Sequence, residues 1–235
     1  MAFRRNRFKG SIIGIVQDFT LKADRSEWTI GFDFERQARS EGFAFIAGID
    51  EVGRGCIAGP VVAAACILDI EKAIPEKLDD SKKLSNAARD EIAAWIKSEC
   101  ISYAIGSVEA DEIDRINILE ATKRAMLVAI ASLDPAADFL LIDALRLKAC
   151  PLPQKAIIKG DSISASIAAA SILAKTYRDA LMKGYDEIFP QYGFASHKGY
   201  GCASHYNAIR EHGPCRLHRI SFKGVAEESP IPTLF

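Results

Sequence analysis

Residues 45–68 decide the fold: Phe45-Ile46-Ala47-Gly48-Ile49-Asp50-Glu51-Val52-Gly53-Arg54-Gly55-Cys56-Ile57-Ala58-Gly59-Pro60-Val61-Val62-Ala63-Ala64-Ala65-Cys66-Ile67-Leu68. An apolar run ends in two adjacent carboxylates, Asp50 and Glu51. A Gly-Arg-Gly turn follows, and a second apolar run starts after Pro60. Two buried strands joined by a glycine-rich turn fit this pattern. Paired carboxylates at the end of a buried strand suggest a divalent cation at a sheet edge. The alternative is a solvated loop with two ordinary surface acids. Side chains alternate along a strand, so this one must end or bulge if Asp50 and Glu51 are both to reach one site.

Further along, the same signal returns. Phe139 to Ile142 is short, intensely apolar and ends in Asp143. Ile157 and Ile158 form a brief strand ending in Lys159-Gly160-Asp161, and Asp161 stands at the mouth of a helix from 162 to about 183. The first half of that helix is small or apolar, which suits close packing on a sheet. Its polar residues from Lys175 onward mark emergence into solvent. Ile30 to Gly42 reads as an amphipathic helix, 86 to 98 as a helix capped by Ser85, and 101 to 108 as a third strand. A helix from 109 to about 131 is broken near Asn117, and another lies near 204–212. The first strands are antiparallel neighbours in a mixed α/β order.

If those strands are neighbours, Asp50, Glu51, Asp143 and Asp161 meet at one edge. Carboxylates brought together repel unless neutralised, and hard divalent cations are their natural partners. Two such ions stabilise both the attacking and leaving oxygens of a phosphodiester cut.

At 235 residues with a formal net charge of −1, the chain has room for one large domain and does not advertise nucleic-acid binding by its total charge. The charge is unevenly placed. Between Gln191 and Lys223 five Lys or Arg face a single acid, Glu211, and all 4 histidines lie there. A local phosphate-binding face fits, with a solvated basic face as the alternative. The 6 cysteines lack framework spacing, which points to reduced thiols in a cytoplasmic protein. No apolar run is long enough to span a membrane, and the N-terminus makes a poor signal peptide.

Several ordered motifs resemble ribonuclease HII, the type 2 ribonuclease H family. They are Gly48 to Gly55 followed by Ala58 to Ala65, Asp80-Ser81-Lys82-Lys83-Leu84, Ile116-Asn117-Ile118-Leu119, Asp143, and Lys159-Gly160-Asp161. Ala168 to Lys175, Gln191 to Phe194, His197 to Gly201, His212-Gly213-Pro214, His218-Arg219 and Ser221-Phe222 complete the series. The resemblance runs in collinear order from about 31 to 222.

The resemblance implies a mixed five-stranded ribonuclease H-like sheet flanked by helices, with a small helical C-terminal extension. The expected division is an N-terminal extension (1–28), a catalytic domain (29–189), a substrate-binding extension (190–223) and a tail (224–235). It implies an endonuclease that cuts the RNA strand of RNA–DNA hybrids. It also implies cutting on the 5′ side of ribonucleotides embedded in duplex DNA, leaving 3′-hydroxyl and 5′-phosphate ends. Asp50, Glu51, Asp143 and Asp161 match the family's catalytic metal ligands, for two Mg²⁺ or Mn²⁺ ions. Gly53, Arg54 and Gly55 match the loop that contacts the ribonucleotide, and Tyr200 the tyrosine that packs on the next deoxyribose. Ser81, Lys82, Lys175 and Lys198 become phosphate contacts.

Cys202, His205, Cys215 and His218 have the spacing of a zinc site. The family usually has threonine at the positions of Cys202 and Cys215, and its histidine near 218 occurs without zinc, so no zinc is expected. The tail Pro230-Ile231-Pro232-Thr233-Leu234-Phe235 is a short apolar terminus, the type that docks some relatives on a sliding clamp; a frayed end is the alternative. A monomer without membrane attachment is expected. The rival readings are a resolvase-like cutter of branched DNA, which a strict requirement for a ribonucleotide would exclude, and a silent hybrid-binding module. Four carboxylates near phosphate argue against the latter.

Overall fold

A computed structural model describes residues 29–75, 78 and 84–226. Five strands form one sheet: β1 (Ile46–Val52), β2 (Val61–Ile67), β3 (Ser102–Val108), β4 (Phe139–Asp143) and β5 (Gln154–Ile157). Their spatial order is β3-β2-β1-β4-β5. The pairs β1–β2 and β2–β3 are antiparallel, whereas β1–β4 and β4–β5 are parallel. The expected antiparallel start of a mixed sheet is therefore present.

Among the described residues seven α-helices accompany it: α1 (Asp33–Ser40), α2 (Asn86–Glu99), α3 (Ala110–Ile116), α4 (Ile118–Ala131), α5 (Ala165–Ile188), α6 (Phe194–His197) and α7 (Ala203–His212). One face of the sheet packs on α4 through Ile49, Ala63, Ala125, Met126 and Ile142. The other packs on α5 and α2 through Val62, Ala64, Ile92, Ala168, Ala169 and Ile172. Being covered on both faces, β2 is buried along its whole length, which explains its run of small apolar residues.

Two glycines set the layer spacing. A Cβ on Gly48 of β1 would stand 2.0 Å from the Ser166 carbonyl carbon of α5. A Cβ on Gly106 of β3 would stand 2.1 Å from the Ala125 carbonyl oxygen of α4. At both points helix backbone lies directly on strand backbone.

Asp138 sets the alignment of β1 and β4. Its carboxylate accepts the N–H groups of Ala44 and Phe45 at 2.7 and 2.8 Å, just before β1 begins. The parallel register then runs from Ile46 opposite Phe139 to Ile49 opposite Ile142.

Local signals account for most helix ends. The Ser85 hydroxyl accepts from Ala88 N–H at the start of α2, a cap worth about 1 kcal/mol. Asn117, at φ 68°, accepts from Leu119 and Glu120 N–H and separates α3 from α4, the expected break. Three boundaries differ from the sequence reading. The last strand covers 154–157 rather than 157–158. The long helix starts at Ala165, after a 3₁₀ turn at Gly160–Ser162, and continues to Ile188. As expected, the helix is buried through Ala174 and emerges from Lys175 onward, except for a stripe, Arg178 and Met182, that stays fully buried. Among the described residues no helix is long and apolar enough to cross a membrane.

Candidate active site

Asp50 follows Ile49 on β1 and Asp143 follows Ile142 on β4, so one step beyond the last register pair the two carboxylates stand side by side. Alternation puts both on the α5 side of the sheet. Asp50 is buried and hydrogen-bonded to Ser171 of α5. Its pKa is pushed up to about 8, first by burial, then by the charges of Glu51 and Asp143. Asp143 Oδ1 accepts the Gly160 N–H at 2.8 Å. That bond ties the end of β4 to the 3₁₀ turn carrying Asp161, which is buried and receives the Ser162 hydroxyl at 3.4 Å.

Glu51 departs from the simplest expectation. The strand neither ends nor bulges at this point: β1 keeps its register with β2 through Glu51 opposite Ala63 and Val52 opposite Val62. Glu51 therefore belongs to the opposite face from Asp50, although its charge still acts on Asp50. Arg54 holds its carboxylate at 3.1 Å.

The Gly53–Gly55 loop is held from below. Gly53 has φ 92°, a conformation favouring glycine. A Cβ there would meet Arg178 Nε at 2.3 Å. Gly55 has open space beside it, and Arg54 is exposed. Cys56 forms a β-bridge with Tyr200, and Ala58 forms one with His218. Tyr200 is 44% exposed and so is open to contact with a ligand.

The two lysines nominated for phosphate contact have partners within the chain. Lys175 pairs with Asp179 at 2.8 Å, and Lys198 donates to the Ala195 carbonyl. Ser81 and Lys82 lie outside the described residues, as do the N-terminal extension up to residue 28 and the tail beyond Ala226.

The cysteine–histidine group is organised differently from a zinc site. His205 Nδ1–H donates to the Tyr200 carbonyl at 2.9 Å. Its Nε2 lies 3.1 Å from His218 Nε2, and His218 Nδ1 accepts the Cys215 N–H at 2.9 Å. One tautomer assignment satisfies the chain: His218 Nε2–H donates to His205 Nε2, with both rings neutral. Burial lowers both pKa values to about 4.

Sequence reasoning missed three residues. Glu35 on α1 is fully buried. It accepts the Ser164 hydroxyl at 2.7 Å and the Ser166 N–H at 2.9 Å, and so caps α5 beside the Asp161 turn. Arg178 and Arg219 are fully buried and donate to backbone carbonyls around the 53–60 loop. Arg178 shares one face of α5 with Ser171, Lys175 and Met182, a helical spacing visible in the sequence.

The donor set is four carboxylates, with hard oxygen atoms only. Among the described residues no three His, Cys, Asp or Glu side chains are drawn into a metal cage. Protein hydrogen bonds hold each carboxylate instead. Burial, together with the charges of Glu51 and Asp143, lifts Asp50 to about 8, and this is the imbalance that a hard divalent cation would correct.

Comparison with known proteins decides the family. A family model described as Ribonuclease HII matches residues 47–225. The chain belongs to the ribonuclease HII family. The Ribonuclease HII of Ruminiclostridium cellulolyticum is 55% identical over 189 residues, 80% of this chain and 74% of that one. The enzyme of Geotalea daltonii is 51% identical over 195 residues, covering 83% and 90%. Among solved structures, the complex of PCNA with RNase HII from Archaeoglobus fulgidus aligns with TM-score 0.66 at 27% identity, over 77% of this chain and 96% of that one. Ribonuclease H2 from Pyrococcus horikoshii aligns with TM-score 0.66 at 23% identity, over 79% and 97%, and supports the fold. Ribonuclease HII enzymes are hydrolases, endonucleases that cut the RNA of RNA–DNA hybrids, and the family depends on divalent metal ions.

Proposed function

We propose that this ribonuclease HII cuts on the 5′ side of ribonucleotides embedded in duplex DNA as well as within hybrids, leaving 3′-hydroxyl and 5′-phosphate ends. The observation that carries the reading is the placement of Asp50 beside Asp143, with Asp143 tied at 2.8 Å to the turn bearing Asp161.

In this reading Asp50, Glu51, Asp143 and Asp161 hold two divalent ions, Mg²⁺ or Mn²⁺. When bound, such ions would supply Lewis-acid activation of the attacking water and charge stabilisation at the leaving 3′ oxygen. The chain's own residues do the rest. Ser171 and the Gly160 N–H orient Asp50 and Asp143. The backbone of Gly53, Arg54 and Gly55 approaches the ribose closely enough to read its 2′-hydroxyl, which is both donor and acceptor. The exposed Tyr200 ring packs on the following sugar and favours an RNA–DNA junction. Lys175 and Lys198 meet phosphates after exchanging their internal partners, and Ser81 and Lys82 add further contacts.

The same proposal extends to organisation and partners. Residues 29–189 form the catalytic domain and 190–223 the substrate-binding extension, in a monomeric cytoplasmic enzyme. The Archaeoglobus fulgidus relative is seen with PCNA, which supports a clamp contact, for which the apolar C-terminal tail is the segment proposed.

The deciding test uses a DNA duplex carrying one ribonucleotide, incubated with Mg²⁺, Mn²⁺ or EDTA, beside an all-DNA duplex. A metal-dependent nick 5′ of the ribonucleotide with the control intact is expected. Retention of the duplex on a gel without a nick would overturn the reading in favour of a binding module.

A further inference from the structure

Arg178 gathers three separate backbone positions with one guanidinium. Its Nε donates to the Pro60 carbonyl at 2.9 Å, Nη2 to Ala58 at 3.0 Å and Nη1 to Lys198 at 2.8 Å. The first two close the loop that begins at Gly53. The third lies two residues before Tyr200. Gly53 itself rests on the Arg178 side chain, where a Cβ would meet Nε at 2.3 Å. One turn further along α5, Met182 fills the space against Gly59 and Gly199 of the same two segments.

Neighbouring bonds tighten the joint. The Gly199 carbonyl accepts Ile57 N–H at 2.9 Å and Ala58 N–H at 3.3 Å. Arg219 donates to the Gly59 carbonyl through Nε and Nη2 and to the Arg54 carbonyl through Nη1 at 3.1 Å. Among the described residues neither arginine takes part in an ion pair. Burying a guanidinium on carbonyls alone is costly unless every donor is placed. A planar fork reaches three carbonyls at fixed angles, which a lysine ammonium on a flexible stem cannot reproduce.

We infer that Arg178 is a specificity-determining positioning residue: its guanidinium fixes the separation between the Gly53–Gly55 backbone and the Tyr200 ring. This rests on the proposed roles of that backbone at the ribose and of Tyr200 at the next sugar. A single ribonucleotide in DNA must satisfy both contacts at once, because it offers one ribose and one junction. A continuous hybrid offers a ribose at every step and tolerates a looser separation.

The test measures kcat and KM for Arg178→Lys, Tyr200→Ala and the double variant on both substrates, with thermal unfolding as a folding control. Misplacing a contact by about 1 Å costs up to roughly 100-fold, so Arg178→Lys is expected to lose roughly 10- to 100-fold on the single-ribonucleotide duplex and far less on the hybrid. In the double variant the two losses should not multiply, since both act through one contact. If Tyr200→Ala is selective but Arg178→Lys loses equally on both substrates, or the losses multiply, the inference is overturned while the proposed function stands. If Tyr200→Ala is not selective, the Tyr200 reading fails and the inference fails with it. Should Arg178→Lys not fold, Met182→Leu reshapes the same joint without removing a charge, and an equal loss on both substrates there overturns the inference too.

Discussion

Asp143 accepts a hydrogen bond from the Gly160 backbone at 2.8 Å, so the last residue of β4 is fastened to the turn that carries Asp161. Two carboxylates from separate elements thus share one rigid support. Asp143→Asn keeps the acceptor oxygen and removes the charge. Cleavage should fall by about 10³-fold, the scale of losing one electrostatic contributor to a transition state. Gel-shift binding of the hybrid should be retained. Normal turnover in this variant would sink the carboxylate site.

Metal binding should depend on pH through Asp50. Its pKa in the metal-free protein is raised to about 8, so at pH 7 an incoming cation displaces its proton. Apparent affinity should rise up to about tenfold per unit towards pH 8 and then level off. Calorimetry in two buffers of different ionisation enthalpy should detect about one proton released at pH 7. Equal heats in the two buffers would contradict this.

His205 and His218 titrate in the opposite sense. Their folded pKa values of about 4 lie below the ordinary 6.5, so the unfolded chain binds more protons between those limits. Their contribution to stability is complete above pH 6.5 and is lost as pH falls through 4. Imidazole NMR signals of both rings should stay in the neutral form from pH 8 down to 5. Zinc analysis of protein purified without added metal should find less than one equivalent; stoichiometric zinc would mean that this hydrogen-bonded arrangement had been replaced.

Gly48→Ala should be severe although it adds one methyl group. The new Cβ would stand 2.0 Å from main-chain carbon of Ser166, and backbone cannot step aside as a side-chain tip does. A loss of about 3 kcal/mol, the upper end of ordinary overpacking, is expected in urea unfolding. A change below 1 kcal/mol would show that α5 can slide.

The parts legible in the sequence were those with local signatures. The apolar runs of β1, β2 and β4, the Ser85 cap and the break at Asn117 each carry their cause within a few residues. Asp50 and Asp143 stood out because they end such runs, and Asp161 because it stands at the mouth of a helix. Glu35 was not legible: its burial depends on Ser164 and Ser166, more than a hundred residues away. Arg178 looked like a solvent-facing residue because its partners are carbonyls, which no side-chain pattern reveals. Glu51 stood out as the second of two paired carboxylates, but its place on the other face came only from the unbroken ladder through Val52.

The contact between Gly48 and Ser166 has a mechanical consequence. Asp50 lies two residues beyond Gly48, and its partner Ser171 lies five beyond Ser166. The gap between the Asp50 carboxylate and its helix is therefore gauged by main chain against main chain. Side-chain packing elsewhere in the core can drift through substitution without changing that gap. The carboxylate edge thus inherits the stiffness of the peptide backbone, and surrounding layers are free to vary in sequence while that edge keeps its dimensions.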